Sequence, residues 1–217
     1  LDAAKYSDAS ACGNEIASEK PMVRKYIIDS LCYWASEYHI DGFRFDLMGV
    51  LDIETLNEAR KALLKINPDI IMYGEGWTGG ESTLPESERG MKINAPRTPG
   101  IGMFSDDIRD AVKGHVFYMD ELGFVNGAAD RGEELKQAVT CAKWAKSPMQ
   151  SINYLSCHDN YTLLDRFIIS NSHESEEMRI RMNKLAAAIL FTAQGIPFFL
   201  HGEEFARTKI SEADGTC

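Results

Sequence analysis

The 217-residue chain is short of three things, and each shortage excludes a class of function. Basic residues come first: 23 Lys and Arg stand against 33 Asp and Glu, a formal net charge of −10. Nucleic-acid phosphates want a basic face, so a nucleic-acid partner is not expected. Long apolar runs come second. No stretch approaches the roughly 18 consecutive apolar residues of a membrane span, and the most apolar segment, 185–200, is interrupted by Thr192, Gln194, Gly195 and Pro197. Cysteine is third: Cys12, Cys32, Cys141, Cys157 and Cys217 are scattered, odd in number and without a CxxC pair. That excludes a zinc ribbon or a thioredoxin-like site. A GxSxG elbow and an HExxH helix are also missing, leaving only the poorly placed Ser156 near His158 for serine-hydrolase chemistry. GIGMFS (100–105) has glycines like part of a dinucleotide loop but follows a proline rather than a strand, so it is discounted.

What is present is an α/β pattern. After a polar stretch at 1–17, Ser18 followed by Glu19-Lys20-Pro21 marks a helix start. Val23, Tyr26, Ile27, Leu31, Trp34, Ala35 and Tyr38 then recur at helical spacing. A strand is expected at 42–47, a helix at 53–66, and a strand at 70–74 after the break Asn67-Pro68-Asp69. Residues 76–104, rich in Gly, Pro, Ser and Thr, are expected to form a long functional loop. A short helix capped by Ser105 (105–113), a helix at 133–145, a strand at 151–156, a helix at 174–193 and a strand at 196–200 follow. Helix and strand alternating with short links is the signature of parallel βαβ units. Four strands so spaced suggest about half of a closed (β/α)8 barrel, with a doubly wound open sheet as the alternative. Polar residues placed at the strands' C-terminal ends favour the barrel.

Charges at those ends carry the chemistry. In GFRFD, Phe43 and Phe45 fall on one side of the strand, and Arg44 and Asp46 on the other. Glu75 sits just past the strand in IIMYGEGW, and His158 and Asp159 just past the one in SINYLSCHDN. A single Asp there is more often a cap, a single Glu more often solvated, and a lone His-Asp pair usually structural. Three independent strands ending in carboxylates change that estimate, because in a barrel the ends converge and uncompensated carboxylates repel. Converging carboxylates with an arginine suit glycoside hydrolysis, which needs one ionised carboxylate and one protonated. Arg44 would keep Asp46 ionised, and Glu75, between glycines and next to Trp77, is the candidate for a raised pKa. Trp77, Tyr73, Phe104 and Tyr161 could offer faces to sugar rings, although core packing is the ordinary reading for any one aromatic. His201, Glu203 and Glu204 could bind a metal, but a capped turn or a supporting role is the stronger reading.

These segments resemble the α-amylase superfamily of glycoside hydrolases, in particular its pullulanase branch. DGFRFDLMG (41–49) looks like that branch's fourth-strand motif, YGEGW (73–77) its fifth and YLSCHDN (154–160) its seventh, and 183–209 is similar to the stretch through the eighth strand. The resemblance implies a (β/α)8 TIM-type barrel present as its C-terminal half, about strands four to eight, as one partial domain over 1–217 with no second domain. It implies Asp46 as nucleophile, Glu75 as general acid/base and Asp159 as transition-state stabiliser. Arg44 would orient Asp46, and Trp77, His158 and Asn160 would contact substrate. The implied reaction is retaining hydrolysis of α-1,6 links in pullulan and branched α-glucans. No cofactor is required, and calcium is a common structural ion in the superfamily. A non-catalytic α-glucan-binding or scaffolding relative, or an α-1,4-acting amylase or isoamylase, is the alternative; the former typically lose one of the carboxylates, and all are here.

The family's first three strands, with their Asp and Asn-His motif, have no counterpart in the sequence. Neither does the YNWGYDP-like stretch that helps mark debranching enzymes. With no initial Met at Leu1 and an end at Gly215-Thr216-Cys217, the sequence reads as a piece of a longer protein. A half barrel exposes edge strands and a core face. The isolated chain is therefore expected to be inactive or to self-associate.

Overall fold

The computed structural model describes residues 6–209. The chain packs as two compact units: one runs to Phe104 and includes Trp144–Gln150, and the other comprises Ser105–Lys143 and the residues from Ser151 onward.

The first unit opens with α1 (Pro21–Glu37), which has proline in its first turn and ends where His39 takes a positive φ of 55°. Ser18 is not its cap. The Ser18 hydroxyl donates to Asp52 Oδ2 (2.6 Å) and accepts from the Asp52 amide (2.8 Å), while its carbonyl accepts from the Thr55 hydroxyl (2.9 Å). Ser18 thus fastens the start of α2 (Ile53–Leu63), whose N-cap Asp52 accepts from the Thr55 amide at 2.9 Å. Arg24 of α1 reaches the same carboxylate at 3.2 Å.

The apolar stripe of α1 is wider than the face it buries. Ala35, Ile28 and Leu31 pack on the core, whereas Tyr26, Trp34 and Tyr38 stay exposed, with Tyr33, Trp34 and Tyr38 resting on one another. Strands β1 (Gly42–Phe45), β2 (Ile71–Gly74) and β3 (Gly102–Ser105) run parallel, with Phe43 opposite Met72, Arg44 opposite Tyr73, and Gly74 opposite Met103. Met48, Leu56, Leu63, Ile70, Met72, Ile101 and Met103 fill the core against them.

β3 lies at the end of the segment expected to be all loop. Its four residues are buried throughout, but the apolar run is too short and too rich in glycine to signal a strand by pattern. The rest of 76–101 carries only short 3₁₀ turns, at Glu86–Glu88 and Lys92–Arg97. It is anchored by the buried amide of Gln150, which donates to the carbonyls of Ala95 (2.9 Å) and Thr98 (3.1 Å). A long surface segment otherwise has few ways to satisfy buried carbonyls.

The second unit holds α3 (Asp106–Lys113), α4 (Gly132–Thr140), β4 (Ser151–Asn153), α5 (Leu163–Ser170), α6 (Glu176–Thr192) and β5 (Ile196–Pro197), with β4 and β5 parallel. Ser105 precedes α3 as expected, but its buried hydroxyl makes no capping bond. α4 stops before the expected 145 because Cys141 takes φ 138°. α5 was not marked by apolar spacing. It starts on a capping box in which the Thr162 hydroxyl and the Asp165 carboxylate bond each other's backbone amides. Ile108, Val112, Leu155, Leu163, Phe167, Ala186 and Leu190 form this unit's core.

Cys12, Cys32 and Cys141 are free thiols, and Cys217 lies outside the described residues. Among the described residues no helix is long and apolar enough to cross a membrane.

Candidate active site

β1 delivers Arg44 and the residues after it, and β2 delivers Glu75. Gly74 lets the two strands approach: a Cβ there would stand 2.6 Å from the Phe45 carbonyl oxygen. Past β1 the chain turns sharply, with Leu47 in the left-handed region at φ 41°. This aims the Leu47 amide at Glu75 Oε2, 2.8 Å away. The Gly49 amide lies 3.1 Å from both the Glu75 and the Trp77 carbonyls, which ties the exit of β2 to the turn.

On this frame Arg44 bridges two carboxylates. One guanidinium nitrogen meets Asp46 Oδ1 at 2.9 Å and another meets Glu75 Oε1 at 2.5 Å. The Arg44 guanidinium carbon also sits 5.9 Å from the centre of the Phe104 ring, a cation–π contact. The two acids differ in setting: the Asp46 side chain is 70% exposed and that of Glu75 9%. Burial pushes the Glu75 carboxyl above the ordinary carboxylate range. The Asp46 carboxylate adds to that rise, and the Leu47 amide and Arg44 oppose it without cancelling it. The arrangement offers one solvated carboxylate and one shielded carboxyl of raised proton affinity on a common cation, the kind of division of labour an acid/base hydrolysis requires.

The aromatics separate. Phe104 is fully buried, edge-on to Tyr73 at 5.6 Å, so it packs the core and does not face a ligand. Trp77 and Tyr161 are half-buried.

In the second unit, β4 leads into the loop bearing His158, Asp159 and Asn160. His158 Nε2 lies 3.4 Å from Asp159 Oδ1, and both side chains are more than half exposed. Asn160 takes φ 59°. Ser156 does not serve His158; its hydroxyl donates to Glu203 Oε1. Glu204 Oε2 accepts from the Gly202 amide at 2.8 Å, capping the 3₁₀ turn Glu203–Phe205. Among the described residues no three His, Cys, Asp or Glu side chains gather in a metal-binding group.

Sequence reasoning overlooked one buried pair. Glu203 is pushed up to about 7 by burial, against the pull of Ser156 and Lys113. Lys113 is held down to about 7 by burial, with Arg109 and Arg166 adding to the effect and Glu203 opposing it. The two residues stand 90 positions apart in sequence, and each shifts the other's proton affinity.

Parallel strands alternating with helices, with carboxylates just past the strand ends, define a (β/α)-barrel glycosidase type of catalytic domain. The comparisons with known proteins make this specific. The sequence profile of the family described as "Alpha amylase, catalytic domain" matches residues 10–216, and the chain belongs to that family. The pullulanase of Bacillus subtilis (strain 168) is 41% identical over 210 residues, 94% of this chain and 29% of that protein. Two crystal structures superpose closely. The pullulanase from Paenibacillus barengoltzii in complex with maltohexaose and alpha-cyclodextrin has a TM-score of 0.90 at 48% identity, covering 94% of this chain and 33% of that one. The pullulanase from Anoxybacillus sp. LM18-11 complexed with maltotetraose has a TM-score of 0.91 at 47% identity, covering 94% and 30%. The fold is therefore part of a pullulanase-type (β/α)8 barrel. Its five strands suit the fourth to eighth, one more than the four legible by pattern. The chain spans about a third of the length of these relatives.

Proposed function

We propose that this chain supplies the nucleophile and the proton donor of a retaining glycoside hydrolase that cleaves α-1,6 links in pullulan and branched α-glucans. The observation that carries the reading is Arg44 bridging an exposed Asp46 and a buried Glu75 of raised proton affinity.

In the first step protonated Glu75 donates to the glycosidic oxygen while an Asp46 carboxylate oxygen attacks the anomeric carbon. The C–O bond breaks, the shortened glucan leaves as the alcohol, and a glycosyl ester of Asp46 forms. In the second step Glu75, now ionised, takes a proton from water. That water attacks the same carbon and releases Asp46. Asp159 offsets the positive charge that grows on the sugar ring, with His158 and Asn160 contacting its hydroxyls and Trp77 offering a ring face. Retention calls for an Asp46–Glu75 carboxyl separation of about 5–5.5 Å in the loaded enzyme. Glu75 Oε1 accepts from Arg44 and Oε2 from the Leu47 amide, so donation to the glycosidic oxygen requires one of these contacts to give way. Every step draws on side chains and water.

The relatives are about three times longer, so the reading assigns catalysis to this segment when the rest of such a barrel completes it, with the 217-residue chain by itself inactive on pullulan. The test is a graft in which this chain replaces the matching segment of the Bacillus subtilis pullulanase. The graft should cleave pullulan. Glu75→Gln and Asp46→Asn should each lower turnover about a hundredfold or more, with maltotetraose binding kept within about threefold. Full activity in the Glu75→Gln graft would remove Glu75 from its role. Glucan binding with no cleavage by any graft would favour a non-catalytic binding relative, and pullulan cleavage by the isolated chain would refute its dependence on the longer protein.

A further inference from the structure

The loop at 157–161 presents its side chains to solvent and must be held by its main chain. The His158 and Asp159 side chains are 55% and 68% exposed. Asn160 sits in the left-handed region, which asparagine tolerates better than other non-glycine residues. One end of the loop is fixed by Ser156, whose hydroxyl donates to buried Glu203. The other end is fixed by the Thr162–Asp165 capping box of α5. Between them the Lys209 side chain intervenes. Lys209 Nζ donates to the His158 carbonyl at 2.5 Å and to the Asn160 carbonyl at 2.8 Å, the two that flank Asp159 in sequence. Lys209 is itself located by its amide, which donates to Asp165 Oδ2 at 2.8 Å, the same oxygen that accepts from the Thr162 hydroxyl at 2.7 Å.

We propose that Lys209 is a positioning residue for the reaction: its ammonium, bridging the carbonyls on both sides of Asp159, fixes the direction in which Asp159 and His158 are presented to substrate. The role depends on the function proposed for that loop. An ammonium has three donors and can serve two carbonyls at once. Holding the His158 carbonyl fixes the peptide group that enters Asp159, and holding the Asn160 carbonyl fixes the one that leaves Asn160, so the two-residue segment Asp159-Asn160 is pinned at both ends. The structure assigns this task to a residue 50 positions beyond Asp159, which makes the segment after β5 part of the active-site scaffold although it contributes no group to the chemistry.

Two measurements test it. In the 217-residue chain, 15N relaxation should give rigid amides at 157–160, and Lys209→Met should drop their order parameters below about 0.6 while α6 stays near 0.85. Lys209→Arg, which keeps the charge and the donors, should restore most of that order. In the pullulanase graft, Lys209→Met should lower kcat about ten- to a hundredfold with KM within about threefold, because misplacing a group that acts on the transition state costs rate more than binding. Lys209→Arg should recover part of the rate. Unchanged loop order and kcat in Lys209→Met would overturn the proposal, as would loosening spread through α5 and α6, or a rise in KM alone. If every graft is inactive, the relaxation arm still decides whether Lys209 holds the loop, and it is the proposed function that fails.

Discussion

Arg44→Met removes the cation shared by Asp46 and Glu75 and leaves its apolar stem roughly in place. In the intact chain the guanidinium opposes the rise in the Glu75 pKa that burial and Asp46 cause. Without it nothing but the Leu47 amide favours the ionised form, so the Glu75 pKa moves further up. A charge-assisted hydrogen bond of this kind, 2.5 Å long to a carboxyl 9% exposed, is worth about 2 kcal/mol. At about 1.4 kcal/mol per pH unit, that is an upward shift of about 1.5 units.

The assay is a pH titration of the Glu75 carboxyl carbon by NMR in 13C-glutamate-labelled chain. It is read alongside the alkaline limb of kcat/KM in the graft, which reports loss of the acid's proton and should move up by the same amount. Stability follows the same sign. The native state holds the Glu75 proton to higher pH than the unfolded chain, so the associated stability is present below the unfolded value near 4.3 and is lost as pH rises through the native one. The variant should therefore match the parent near pH 3 and trail it by about 2 kcal/mol at pH 8 in urea unfolding. A Glu75 carboxyl titrating at or below its parental position would refute the electrostatic account of the pair.

Two further expectations concern stability. Asp52 is pushed up by burial, but hydrogen bonds from Ser18 and Thr55 and the charge of Arg24 outweigh this and hold it below the usual range. Asp52→Asn should cost about 2 kcal/mol at pH 7, and the gap should close as pH falls through the depressed native value; a gap independent of pH would mean the charge is irrelevant. For the two buried groups, Glu203→Gln should push the Lys113 pKa further down from about 7, and the stability losses in the double-mutant cycle with Lys113→Met should be non-additive. Additive losses in that cycle would show that the two groups do not interact.

The helices and the longer strands were legible because their apolar residues keep a period: α1, α2 and α6 stand within a few residues of where spacing puts them. The misses have separate physical causes. β3 is four residues of GMFS after a glycine-rich approach, and strand pairing, as with β2, rather than pattern makes it a strand. α5 is only eight residues long, too short for its spacing to stand out, yet Thr162 and Asp165 spell a capping box that a search for caps would have found. Ser18 looked like a cap for its own helix and instead braces α2, because a hydroxyl goes to whichever buried partner is nearest once the helices pack.

At the candidate site, Arg44, Asp46 and Glu75 could be picked out in sequence by residue type, but their connection could not. It depends on the register that sets Arg44 opposite Tyr73 and on the left-handed turn at Leu47. Lys209 and the Lys113–Glu203 pair leave no local trace at all, since each acts on a segment dozens of residues away.

The Gln150 amide has a bearing on how the chain matures. The carbonyls of Ala95 and Thr98 accept locally from the Thr98 and Ile101 amides, but their second donor comes from a residue some fifty positions later on the chain. The first unit is therefore assembled out of order, with Ser105–Lys143 spooled out as a detour before Trp144–Gln150 returns to finish it. A nascent chain stalled within that detour would hold a nearly complete α/β layer with an unlatched surface segment, the stage at which a chaperone would find the most to hold.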